Sequence, residues 1–165
     1  MKQLDDFIKV YDDILSEQSC EIILTRFRRS DIWTDDSVNF NDRHIREAHQ
    51  DIDELLFRAI TKTAKLYRQD IQDVAFRRDA GYELIRLKDS DMYTQLNIYD
   101  ERSELSCIIS LNDDYWGGEH EFLDCERRYK LSAGSILVYP SNFIYQHKIS
   151  PVEKGISYIV TTVLL

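Results

Sequence analysis

Near residue 81 the apolar residues of this chain change their period, and that switch limits the folds open to it. Before it they recur every three or four positions, as on one face of a helix. After it, short apolar runs alternate with polar residues and are cut by turns. Helices followed by regular short strands read as an α+β domain, with helices packed on one face of a sandwich or barrel. The 165 residues suit one domain with a real core. The reading is residues 1–165 as a single domain: 1–80 hold an N-terminal strand and support helices, and 81–165 form the β core.

In the first half, Phe7 to Tyr11 alternates as a short half-buried strand. Ser16 offers an N-cap for a helix through about Arg28, with Cys20, Ile22, Ile23 and Phe27 on one side. Residues 30–41 read as a loop around Trp33 and Phe40. From about Asp51 a second helix carries Ile52, Leu55, Leu56, Ala59, Ile60, Ala64 and Tyr67 at helical spacing. Its acidic first turn and the basic Lys65 and Arg68 near its end suit the helix dipole. His44 and His49, on the approach to this helix, read as exposed.

The second half predicts strands at 82–87, 92–99, 105–111, 119–123, 135–139, 145–149 and 157–163. Its central stretch, Leu105 to Phe122, reads LSCIISLNDDYWGGEHEF: an apolar strand, a polar turn and a Gly-Gly step into another strand, read as a hairpin.

Composition excludes several classes. The 30 acidic and 21 basic side chains leave a net charge of -9, which repels a phosphate backbone, so no nucleic-acid partner is expected. Cys20, Cys107 and Cys125 lack metal-type spacing and read as reduced thiols of a cytosol-like compartment. The N-terminus has no apolar signal-peptide core and no run approaches a membrane span, so no membrane contact is expected. Nucleophile-elbow, Walker, Rossmann and zinc spacings do not occur. Asp113 and Asp114 are adjacent in a turn and point apart, unlike a glycosidase pair.

From Tyr82 to Val163 the chain resembles the iron(II)- and 2-oxoglutarate-dependent oxygenases of prolyl 4-hydroxylase type. The resemblance rests on Tyr82-Glu83-Leu84-Ile85-Arg86, on Leu111-Asn112-Asp113-Asp114-Tyr115 with Gly117-Gly118-Glu119 and Phe122, on Ala133-Gly134-Ser135 leading to Tyr139-Pro140-Ser141, and on His147 through Pro151-Val152 to Gly155. A block of this kind is common in small members from tailed bacteriophages. The resemblance implies a double-stranded β-helix (jelly-roll, cupin-like) with N-terminal support helices and a pocket between two sheets.

In that family iron is held by a His-x-Asp pair and a later histidine, leaving positions open for cosubstrate and oxygen. A basic residue, usually Arg, grips the far carboxylate of 2-oxoglutarate. His147 stands at the later-histidine position, as a vestigial ligand. The His-x-Asp positions, read from Tyr93, fall on Leu96 and Ile98, or on Gln95 and Asn97 if shifted by one. The Arg position falls on Ser157. Asp100, His120 and His147 could rebuild a two-histidine, one-carboxylate set only if His120 faces the pocket.

The resulting expectation is a non-catalytic relative with no catalytic residues and no cofactor, serving as a binding or structural module. Its specific form is a bacteriophage virion or assembly component, located in the cytoplasm or the virion. Protein partners or further copies of the chain are expected, with Tyr99, Tyr115, Trp116 and Tyr145 as a recognition surface. The alternative is an active hydroxylase with an atypical metal site, which would use Fe(II) and 2-oxoglutarate on a protein side chain or a small molecule.

Overall fold

Ser16 caps the first long helix, accepting a hydrogen bond from the Ser19 N–H at 3.1 Å. This helix, α1 (Glu17–Phe27), buries Cys20, Ile23, Leu24 and Phe27; Ile22 is exposed, because the buried stripe runs through 20, 23, 24 and 27 instead. A short helix, α2 (Arg43–Ala48), starts at Asp42, and α3 (Gln50–Asp70) follows directly. Ile52, Leu56, Ala59, Ile60, Thr63 and Tyr67 form the buried stripe of α3. Its first turn is tied to α1 by Arg26 and Asp51 at 2.5 Å, and Tyr67 donates its hydroxyl to the Phe7 carbonyl.

The computed structural model describes residues 3–72, 74–88, 93–94, 102–123 and 126–165, with backbone alone at 93 and 94. The strands are β1 (Lys9–Tyr11), β2 (Ser37–Asn39), β3 (Glu83–Leu87), β4 (Tyr93–Thr94), β5 (Leu105–Ser110), β6 (Trp116–Gly117), β7 (His120–Phe122), β8 (Arg127–Tyr129), β9 (Ile136–Pro140), β10 (His147–Ile149), β11 (Val152–Lys154) and β12 (Ser157–Leu164). They form a six-stranded sheet in the order β1-β9-β5-β12-β3-β2, a four-stranded sheet β4-β10-β7-β8 and a small ribbon β11-β6. Every pairing is antiparallel. The expected α+β class and two-sheet core are present.

The first strand is shorter than its alternation predicts, because 4–7 form a 3-10 turn held by Asp6. The expected loop at 30–41 contains β2, an edge strand whose Val38 is buried against the helices. The stretch 105–122 is not a hairpin: β5 belongs to the six-stranded sheet and β7 to the four-stranded one. The turn between them carries the chain across the sandwich, and two contacts hold it there. The Asn112 amide donates to the Ile156 carbonyl at 2.8 Å, and its oxygen accepts from the Tyr158 N–H at 2.8 Å. Gly117, at φ +74°, lies so close to the next segment that a Cβ there would fall 2.2 Å from the Pro151 carbonyl oxygen.

Alternation along the large sheet makes two cores. Leu105, Cys107 and Ile109 of β5, with Tyr158 and Val160 of β12, pack under the helices. Ile108, Ile159 and Leu137 pack on the opposite face, toward the small sheet, with Phe122, Tyr139, Tyr145 and Ile149. The space between the sheets is where the resemblance places a site.

Candidate functional site

The outer face of the small sheet explains which side chains turn inward. Glu121 on β7 pairs with Lys148 on β10 at 3.0 Å and with Arg128 on β8 at 3.6 Å. This charged ladder keeps the outer face wet, and a strand's period of two then sends His120, Phe122, His147 and Ile149 to the inner face. In the register, His120 stands opposite Ile149, and His147 opposite Phe122. The two histidines are therefore diagonal neighbours on one face, within reach of aromatic side chains.

They meet. His120 Nδ1 and His147 Nε2 lie 3.0 Å apart, with the ring planes 19° from parallel. Both residues are buried, at 1% and 2% exposure. The rings of Phe122 and Tyr139 pack on His147, with centroids 5.1 and 5.0 Å away. Burial pulls His120 down to about 3, helped by the charge of Lys130. Burial also holds His147 well below the usual imidazole range, with His120 adding to the shift. Both rings are neutral at neutral pH, so one nitrogen of the facing pair donates and the other accepts.

The network does not close on itself. His147 Nδ1 is buried with no partner among the described residues, and so is the Tyr115 hydroxyl. Leaving such a group unpaired costs about 1–3 kcal/mol. Lys130 caps the Tyr115 ring, its Nζ 3.5 Å from the centroid, and donates to the Gly117 carbonyl at 2.5 Å.

The other predicted positions are less complete. Ser157 opens β12 opposite Leu87 and is fully buried. Leu96, Ile98, Gln95, Asn97, Asp100, Tyr99 and Cys125 lie outside the described residues. His44 is exposed, but His49 is half-buried, with its ring 4.9 Å from that of Phe27. Tyr115 and Tyr145 are buried core residues, which removes them from the expected recognition surface; Trp116 is 70% exposed. Cys20 and Cys107 are unbonded, and burial pushes their thiols up to about 11 and about 12. Such protonated thiols are poor nucleophiles.

Two neutral imidazoles converging in the buried interior suit a borderline divalent metal, with His147 Nε2 and His120 Nδ1 as the nitrogens that face each other. Among the described residues no third histidine, cysteine or carboxylate joins them. The cosubstrate position fits less well, because the hydroxyl of Ser157 cannot make the paired charged hydrogen bonds of a guanidinium to a carboxylate.

The fold is a double-stranded β-helix, and solved prolyl hydroxylases share it. The viral collagen prolyl hydroxylase of Paramecium bursaria Chlorella virus-1, solved as a 2-oxoglutarate complex, superposes with a TM-score of 0.75 over 96% of this chain and 95% of its own, at 13% identity. A Pseudomonas putida prolyl-4-hydroxylase gives 0.69 over 98% and 95%, at 14% identity. In sequence, a PKHD-type hydroxylase of Rippkaea orientalis is 43% identical over 63 residues, covering 36% of this chain and 28% of the relative. One from Prochlorococcus marinus is 45% identical over 58 residues, 33% of this chain and 25% of the relative. The chain thus spans about a quarter of the length of these curated relatives. No protein-family model matches it. In fold along nearly its whole length, and in sequence over a third of it, the chain is similar to 2-oxoglutarate/iron(II) oxygenases of prolyl 4-hydroxylase type.

These findings correct the expectation of no cofactor. The similar proteins are hydroxylases, one of them solved with 2-oxoglutarate, and the inner face holds two imidazole nitrogens rather than one stranded histidine. Sequence reasoning undervalued His120. Its signal was the polar–apolar alternation Glu119-His120-Glu121-Phe122, which points it inward, but only the strand register brings it to His147.

Proposed function

We propose that this chain is a divergent oxygenase-like protein that keeps a divalent metal beside His147 and serves as a binding or structural module. A bacteriophage virion or assembly component is its specific form. The observation that carries this reading is Ser157, buried where the resemblance places the cationic clamp for the cosubstrate. A carboxylate brought there meets no compensating charge from that residue, and an uncompensated buried charge is costly. The packing of Ile108, Leu137 and Ile159 between the sheets supports the same reading. Protein partners or further copies of the chain are the expected ligands of such a module, with exposed Trp116 as a contact side chain.

The second reading is an active hydroxylase with an atypical metal site, acting on a protein side chain or a small molecule. The buried His120–His147 pair favours it. Anaerobic titration with Fe(II) or Mn(II), then with 2-oxoglutarate, followed by tryptophan fluorescence or calorimetry, separates the two. Metal binding without cosubstrate binding is the expected result. Micromolar binding of both overturns the module reading in favour of the hydroxylase.

A further inference from the structure

The second histidine has no counterpart in the ligand set that the resemblance implies, and its position gives it a role. Two nitrogens that each bind one ion at about 2.0–2.1 Å are about 2.9 Å apart at a right angle and about 3.3 Å apart at a tetrahedral one. His120 Nδ1 and His147 Nε2 are 3.0 Å apart. The separation that makes this hydrogen bond falls within the span of a chelate, so loading needs little backbone movement. Each ring turns until its lone pair points at the ion rather than at the other nitrogen, and the shared proton moves to an outer nitrogen, so atoms and charge balance without any other reactant. The strands supply the rigidity: β7 and β10 are paired through Phe122, Glu121 and His120, and the Phe122 and Tyr139 rings pack on each other and on His147.

We propose that His120 and His147 form a divalent-metal site in which His120, on the strand after the Gly-Gly turn, supplies a nitrogen ligand that the family's usual set lacks. The inference deepens, and rests on, the reading that a metal sits beside His147. Two neutral imidazoles favour borderline ions such as Co(II), Ni(II) and Zn(II) over hard, oxygen-seeking Mg(II). Water or another group completes the coordination shell.

The test is titration of the metal-stripped full chain with Co(II), read by visible absorption, with Zn(II) and Mg(II) as competitors. The chain binds one Co(II), displaced by Zn(II) and not by Mg(II). His120→Phe and His147→Phe, which keep ring volume, weaken binding by about 100-fold or more, since even loss of an outer-shell partner costs about 10–100-fold. The exposed His44→Phe leaves it unchanged. If His120→Phe binds as tightly as the unmodified chain, the proposal fails while the reading of a metal beside His147 stands. If the unmodified chain binds no Co(II) at about 1 mM, both fail. A readout free of folding artefacts uses the unmodified protein: Co(II) produces paramagnetically shifted imidazole N–H resonances from two histidines. Signals from one or none overturn the proposal.

Discussion

The two cores on either side of the large sheet differ, although the same strands build both. Under the helices, β5 and β12 present Leu105, Cys107, Ile109, Tyr158 and Val160. Toward the small sheet the same strands present Ser106, Ser110 and Ser157 between Ile108 and Ile159, all buried. In the helix-side core the buried Thr63 hydroxyl is satisfied by the Ala59 carbonyl. The inner core contains two histidines, an unpaired histidine nitrogen and an unpaired tyrosine hydroxyl. Buried polar groups left partly unsatisfied cost stability, and a fold that needed only stability could fill those positions with apolar residues. The helix-side core holds the scaffold; the inner core keeps polar groups that stability alone does not call for.

That contrast can be broken by experiment, most forcefully at the helix-side core. Phe27→Ala, at a site 1% exposed, should cost about 3–5 kcal/mol in urea unfolding, the range for deleting a buried ring. A cost below about 1 kcal/mol would show that the helices are not part of the folding unit.

The next effect lies in the inner core and depends on pH. Burial lowers both histidines, His120 to about 3, so the unfolded metal-free chain takes up protons first as pH falls. This contribution to stability is therefore fully present above the unfolded value near 6.5 and is lost as pH falls from there toward 3, at up to about 1.4 kcal/mol per pH unit for each group. The difference between the stability–pH curves of the unmodified chain and His120→Phe isolates the effect. Parallel curves would mean that the pair is not buried neutral.

Ser157→Arg probes the same face more gently. It forces a large cation into a fully buried position opposite Leu87 and should lower stability by about 1–3 kcal/mol. If the variant instead gains stability on adding 2-oxoglutarate, the inner face still has room for the cosubstrate. The smallest effect is on the helix side: Ser16→Ala removes the α1 cap and should cost about 1 kcal/mol, read from the unfolding midpoint.

Much of this was legible in the chain itself. The apolar period marked α1, α3 and most of the strands, because helix and strand faces are set by local geometry. The block from Leu111 to Phe122 marked the fold, and its Asn and Gly residues do the work their types suggest: Asn112 bridges to 156 and 158, and Gly117 permits a close crossing. The reading of that block as a hairpin did not survive. A turn sequence says that the chain reverses, but it does not say whether the next strand pairs with the last one or joins a second sheet. The short strands β2, β6, β8 and β11 were missed for a related reason: two or three residues carry too little periodicity to stand out.

The sequence alone determined the period switch, the capped helices, the Leu105–Phe122 block and the presence of Ser157 where a cation was due. Local rules, dihedral preference and alternation, are enough for those. Only the tertiary structure decided that the block crosses between sheets, that Tyr115 and Tyr145 are buried, and that His120 faces His147. Each depends on registers between strands distant in the chain, β7 against β10 across 25 or more positions, and no local pattern specifies such a register.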